Sequence, residues 1–334
     1  MSDPPADPFG ERSRGLRRWR CRLLGAEFRF ETNARAVERL VRQAFDGLPR
    51  LRLRPKARAL RVRIVLRRRA PGTRGTPPAP RFAGGADIVT ATIDADNYAV
   101  LVPSQGTALL VISDDMLRHD YHLRYELLEF AIITLAVRAL GLVPLHAGCV
   151  SLRGRAVMLV GASGSGKSIL ALQAAAGGLE LVSEDSLFVE PRGLRAVSLP
   201  NYLYVRIGAP ARLLPDGLAR HLASARIIRR RSGVNKRALD LRRAGLSLAR
   251  RPPRLAALVV LTSRPARSGR LLIRQPAVRT IARLRATQAY AAARPEWPRF
   301  ERQMARLPCF ELRRGVHPAQ SVAVLKALLS QMPA

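Results

Sequence analysis

The sequence predicts an α/β protein in two domains, a smaller one over residues 1–118 and a larger one over residues 119–334. Three observations predict it. At 334 residues, 48% of them hydrophobic, the chain can bury more than one core. Short apolar runs of strand length alternate with stretches of helical period along the whole sequence. Residues 161–168 read GASGSGKS, a glycine-rich turn between an apolar run and a helical one, which is the grammar of a strand–loop–helix unit.

The first domain opens on a strand expected over CRLLGAEFRFE. The helix-period stretch ARAVERLVRQAF follows and stops at Asp46-Gly47. Further strands are expected at LRVRIVLR and NYAVLVP. Between them APGTRGTPPAPRFAGG is dense in proline and glycine, which marks a loop near residues 70–85. Nothing in this block has a catalytic pattern, so its expected role is docking, regulation or oligomer contact.

The second domain begins with HDYHLRYELLEFAIITLAVRALGL, a long helical pattern closed by Gly141 and Pro144. LHAGCVSL and RAVMLV are apolar runs separated by Arg153-Gly154 and read as a hairpin or two adjacent strands. KSILALQAAA is an apolar helix ended by Gly177-Gly178. LELVSED is a buried strand ending on two carboxylates, and DSLFVEPRGLRAVSL is a second hairpin. Strands are expected at LAALVVLTS and near LLIRQ, and helices near residues 278–293 and 319–329.

The loop motif carries specific chemistry. Gly161, Gly164 and Gly166 let successive backbone N–H groups turn inward around an anion, with Ala162, Ser163 and Ser165 between them, and the following helix adds its positive N-terminal end. Lys167 is placed to reach the β- and γ-phosphates of a nucleotide, and the Ser168 hydroxyl to ligate Mg²⁺. The chain has 58 lysines and arginines, of which only Lys56, Lys167, Lys236 and Lys326 are lysines. A lysine kept in such a chain argues that this position needs a compact ammonium on a flexible stem. Glu184 and Asp185 follow at the end of the next strand, where one carboxylate can hold Mg²⁺ while the other accepts a proton from an attacking hydroxyl.

Composition narrows the partners. The formal net charge of +34 would ordinarily point to nucleic acid, but the arginines are scattered through every segment and no aromatic-basic reading module is present, so nucleic acid is not the expected ligand. The arginine clusters near residues 226–231 and 242–251 read as solvated faces, with an acidic peptide as the alternative user. Cys21, Cys149 and Cys309 are too few and too scattered for a disulfide framework or a zinc site, which fits a reducing cytoplasm. The first residues have no apolar core of a signal peptide, and residues 127–145 are interrupted by Glu129 and Arg138, so no membrane span is expected.

The stretch LHAGCVSLRGRAVMLVGASGSGKSILALQAAAGGLELVSEDSLFV resembles the catalytic domain of the HPr kinase/phosphorylase family, and within it the group of HPr-kinase-related serine kinases. The shared features are His146, 21 residues before Lys167, the loop Gly161–Ser168, and an acidic pair at Glu184-Asp185. The resemblance implies a P-loop kinase fold akin to phosphoenolpyruvate carboxykinase, with Asp185 as the base and His146 and Lys167 completing the site. This sequence has Glu184 where the family has aspartate. The family's downstream glutamate-glycine signature has no match in LPNYLYVRIGAP, where Arg206 stands at a basic position. The resemblance therefore implies the kinase half of the activity.

The expected function is a cytoplasmic ATP-dependent kinase that uses Mg²⁺, held by Ser168 and Glu184, to phosphorylate a serine on a protein or peptide. Homo-oligomerisation is compatible with it. Two alternatives share the same residues: an ATP-binding regulatory module that has lost transfer, and a kinase of a small hydroxylated metabolite.

Overall fold

Leu60, Val62 and Ile64 are buried while Arg61 and Arg63 between them are exposed, the period-two pattern of a strand with one covered face. In the computed structural model, which describes residues 15–53, 59–68, 76–208, 214–266 and 269–332, this segment is β3 (Leu60–Arg67) of a seven-stranded sheet. Its other strands are β1 (Arg17–Leu23), β2 (Ala26–Thr32), β4 (Arg81–Gly85), β5 (Ile88–Thr92), β6 (Tyr98–Val102) and β7 (Thr107–Ser113), in the order β1-β2-β3-β7-β6-β5-β4. β3 runs parallel to both β2 and β7, and the remaining described ladders from β7 to β4 are antiparallel.

Two expectations for this region are corrected. The single strand expected over residues 21–31 is two strands, because Leu24 and Gly25 take φ of 51° and 81° and turn the chain between β1 and β2. The loop expected near residues 70–85 ends in a strand, since β4 occupies Arg81–Gly85; residues 69–75 lie outside the described residues. Helix α1 (Arg35–Phe45) buries Val37, Val41, Ala44 and Phe45, one stripe at helical spacing, and ends at Asp46.

The helical stretch after residue 119 consists of α2 (Asp120–His122), a π-helical run Leu123–Leu128 and α3 (Glu129–Leu140), and Gly141 at φ 63° ends it. Buried Arg124 is paired with buried Glu129 across the junction, so neither charge is left alone in an apolar setting. The chain divides into two compact units, residues 1–21, 27–46 and 58–139 in one, and residues 22–26, 47–57 and 140–334 in the other.

The second unit is a mixed nine-stranded sheet with helices on it. Its strands are β8 (Val143–His146), β9 (Gly148–Leu152), β10 (Arg155–Val160), β11 (Glu180–Ser183), β12 (Ser186–Glu190), β13 (Arg195–Val197), β17 (Arg254–Pro265), β18 (Leu272–Gln275) and β19 (Cys309–Arg314). The main path is β11-β9-β10-β17-β13-β12-β8, and β19 pairs with β17 and β18. β10, β17 and β19 are mutually parallel.

Strands buried on both faces read as continuous apolar runs. Ala156, Met158 and Val160 of β10 join one core, with Trp297, Phe300 and Met304 of α8 (Trp297–Met304). Val157 and Leu159 join the other, with Leu170 and Leu172 of α4 (Lys167–Ala176) and Leu325 and Leu329 of α9 (Pro318–Gln331). The single helix expected over residues 278–293 is broken: α6 (Ala277–Thr287) and α7 (Ala289–Ala292) are separated by Gln288, whose φ of −122° and ψ of 46° are not helical.

A smaller sheet completes this unit: β14 (Tyr202–Arg206), β15 (Arg226–Arg229) and β16 (Asn235–Asp240), ordered β14-β16-β15, with α5 (Asp216–Ala223) between its first two strands in sequence. The first arginine cluster, expected as a solvated face, lies largely on the edge strand β15, where Arg226, Ile227 and Arg229 are exposed. Among the described residues no helix is long and apolar enough to cross a membrane.

Candidate functional site

Two places where the chain changes strands build the site. Only Ala147 separates β8 from β9, yet β8 pairs with β12 while β9 pairs with β10 and β11. Only Glu184 and Asp185 separate β11 from β12, which likewise belong to different arms of the sheet. These two crossings are bonded to each other: Ala147 N donates to the Asp185 carbonyl at 2.8 Å, and Ser183 Oγ donates to the Ala147 carbonyl at 3.1 Å. The residue before the first crossing, His146, is therefore beside the residues within the second.

His146 Nδ1 lies 2.9 Å from Asp185 Oδ1, with both side chains about half exposed, 57% and 48%. A bonded pair this accessible is open to a reacting group from outside. Gln288, at the helix break between α6 and α7, fixes the His146 backbone: its Oε1 accepts from His146 N at 2.9 Å, and its Nε2 donates to His146 O at 3.1 Å. Sequence reasoning missed Gln288. A glutamine within an apparently continuous helix gives no signal until the break is seen.

The glycine-rich turn, residues 161–166, joins the end of β10 to the start of α4. Gly164 and Gly166 have φ of 77° and 90°, a region other residues enter only at a cost. Gly161 is required for a different reason: a Cβ there would stand 2.7 Å from Ser165 Oγ and 2.9 Å from the Leu261 carbonyl. Ala162, Ser163 and Gly164 are exposed, and Ser165 Oγ is buried with no hydrogen-bond partner. No side chain caps the N-terminus of α4, whose first N–H groups stay available to an anion.

Lys167, only 6% exposed, donates through Nζ to the carbonyls of Gly161 at 3.0 Å and Ala162 at 3.2 Å. Burial pushes its ammonium below the usual lysine range, and the charge of Asp185 partly restores it. Ser168 Oγ donates to the Glu184 carbonyl at 3.1 Å, tying the start of α4 to the acidic crossing. Burial, and then the neighbouring charge of Asp185, push the Glu184 carboxyl up to about 8, against smaller opposing effects of Ser168 and Lys236. The fold thus brings His146, Lys167, Ser168, Glu184 and Asp185 together at one end of the sheet.

Among the described residues no group of three or more His, Cys, Asp or Glu side chains could hold a metal alone. The donor set present, the Ser168 hydroxyl and the buried Glu184 carboxyl beside an anion-receptive turn, fits Mg²⁺, which takes few protein ligands and completes its shell with phosphate and water. A cavity of about 480 Å³ opens beside the turn, lined by Ser165, Gly166, Gln173, Thr262, Arg314 and His317 among others. A larger one of about 610 Å³ lies in the first unit, lined by Arg18, Arg29, Arg61 and Arg63 among others, and contains none of these residues.

No protein-family model matches the chain, and no curated protein matches it. Among solved structures, the chain is similar to the HPr(Ser) kinase/phosphatase from Coxiella burnetii, with 12% identity, 56% of this chain and 88% of that chain covered, and a TM-score of 0.28.

Proposed function

We propose that the second unit is a P-loop kinase domain, which binds ATP with Mg²⁺ and transfers the terminal phosphoryl group to a serine hydroxyl of a protein or peptide. The observation that carries this reading is the His146–Asp185 pair, 2.9 Å apart and half exposed, set beside a glycine-rich turn whose lysine is already ordered. A nucleotide-binding module alone has no use for an accessible carboxylate held by a histidine at that spot.

In the reaction, the backbone N–H groups of Ala162–Ser168 and the end of α4 receive the phosphates. Lys167 exchanges its two carbonyl partners for phosphate oxygens. Asp185, oriented by His146, takes the proton of the serine hydroxyl as its oxygen bonds to the terminal phosphorus, and the bond from that phosphorus to the bridging oxygen breaks to release the nucleoside diphosphate. Ser168 and Glu184 would hold Mg²⁺, which would supply charge neutralisation on the phosphates. The cavity between the turn and residues 313–318 has room for the nucleoside.

The test is Asp185→Asn in a radiolabelled ATP assay against a serine-containing peptide library, with nucleotide affinity measured in parallel. Removal of a general base at this position should lower transfer by about 10²–10⁴-fold and leave ATP affinity within a few fold. Full transfer by the variant refutes the role of Asp185; ATP binding by the wild type with no labelled product on any acceptor supports the regulatory-module alternative.

A further inference from the structure

The seven-stranded sheet of the first unit buries one face and leaves arginines on the other. Its ladders set Arg29 of β2 beside Arg61 of β3, followed across the sheet by Thr107 of β7 and Val102 of β6. The next row reads Glu31, Arg63, Leu109 and Val100. Phe30, Val62 and Ala108, which lie between the two rows along their strands, are buried, so both rows belong to the outward face.

The arginine end of these rows borders the cavity of about 610 Å³, whose charged lining is Arg18, Arg20, Arg29, Arg61 and Arg63 against one carboxylate, Glu31. Local carboxylates do not neutralise it. Glu31 is bonded to Arg18 at 2.7 Å, and the neighbouring Glu27 is shared by Arg29 at 3.2 Å and Arg20 at 3.8 Å. Arg61 is exposed and has no carboxylate partner among the described residues. Like charges side by side on adjacent strands weaken their pairing, so Arg29 beside Arg61 works against the union of β2 and β3. A chain of net charge +34 attracts anions over its whole surface; this place differs in gathering five guanidiniums around a concavity and in bordering aliphatic side chains, with Leu109 37% exposed.

We propose that this face is a docking groove for an extended acidic segment of a partner protein, with its carboxylates on Arg29, Arg61 and Arg63 and an apolar side chain against Leu109 and Val100. Guanidinium forks receive carboxylates through paired N–H groups. Arg61 and Arg63 stand two residues apart on one strand, about 6.6–6.8 Å, which is also the repeat of same-side residues in an extended peptide. A nucleic acid would match the arginines but leave Leu109 and Val100 without a counterpart. The groove is built from the first unit alone, so the inference stands apart from the chemistry proposed for the second.

Fluorescence anisotropy of a labelled short peptide of glutamate and leucine, titrated with the full chain at about 0.1 M salt, tests it, with a glutamine-for-glutamate peptide and an oligothymidine as the other probes. The double variant Arg29→Gln, Arg61→Gln should bind the acidic peptide about 5–30-fold more weakly, the loss of two exposed ion pairs. Arg279→Gln with Arg283→Gln, which removes the same charge from exposed positions on α6, should change it less than about twofold. Leu109→Thr keeps the charge and a strand-favouring residue, and should weaken the peptide about 3–10-fold while leaving oligothymidine unchanged. Unfolding curves check that each variant is folded, and relief of the Arg29–Arg61 repulsion should leave the first at least as stable as wild type. Equal losses in the two arginine pairs, equal binding of the glutamine peptide, or no binding of the acidic peptide by wild type overturns the groove. Tighter binding of oligothymidine, lost in the Arg29, Arg61 variant, overturns the peptide in favour of nucleic acid.

Discussion

Glu184 is where the folded chain holds its carboxyl furthest from comfort, and replacing it by glutamine isolates that feature. In the unfolded chain this carboxyl titrates near 4.5, and in the folded chain near 8, because burial and the adjacent Asp185 both disfavour its charge. Between those values the folded protein keeps a proton that the unfolded chain has released. Stability from this group is therefore full below pH 4.5 and falls as pH rises towards 8. The two values place the cost of folding with Glu184 at about 1 kcal/mol at pH 5 and roughly 3 kcal/mol at pH 7.

Glu184→Gln keeps the shape and removes the titration. For a unit of this size 1 kcal/mol corresponds to about 2–4 °C, so the variant should melt roughly 6–12 °C above wild type at pH 7, and only about 2–4 °C above it at pH 5. The assay is thermal unfolding of both proteins across pH 4.5–8. Parallel pH profiles would refute the reasoning, since they would mean that Glu184 is not the group that titrates. Mg²⁺ with nucleotide adds an independent arm: a metal that binds the ionised carboxylate should stabilise wild type more than the variant.

Gly161→Ala places a methyl group 2.7 Å from Ser165 Oγ and 2.9 Å from the Leu261 carbonyl, and the second of these is backbone that cannot swing away. The variant should lose about 1–3 kcal/mol of stability and at least about tenfold in nucleotide affinity, read by unfolding and by titration with a fluorescent nucleotide. Trp297→Ala empties a fully buried site in the core beneath β10 and β17 and should cost about 3–5 kcal/mol in urea unfolding. A cost below about 1 kcal/mol would show that this core refills without it.

Local chemistry made much of the second unit legible. KSILALQAAA is bounded by glycines on both sides, and the structure has its helix at Lys167–Ala176; Arg153-Gly154 between two apolar runs is the turn between β9 and β10. What the sequence hid was long-range. β14 takes its register from β16, which follows it by more than 30 residues, whereas β15 pairs locally with β16 and was hidden by composition, since RIIRRR offered a charge run rather than a strand. Gln288 gave no sign that it would hold the His146 backbone, because that contact joins residues 142 apart. The candidate site was nameable as residues, from their spacing, while the reason they meet lies in crossings between strands that no local pattern describes.

Those crossings have one further consequence. Residues 148–183, comprising β9, β10, the glycine-rich turn, α4 and β11, leave the β12–β8 arm of the sheet at Ala147 for its other arm and rejoin the first at Glu184-Asp185, and the two ends are clasped by the bonds of Ala147 and Ser183. The segment is thus a cassette closed at its base, like a loop of rope tied where it begins. Ser168 at the start of α4 is bonded to the Glu184 carbonyl, so one chain of hydrogen bonds runs from the turn to the crossing that carries Asp185. Under the proposed function, the turn that receives the phosphates and the base that acts on the hydroxyl are thus anchored to the same clasp.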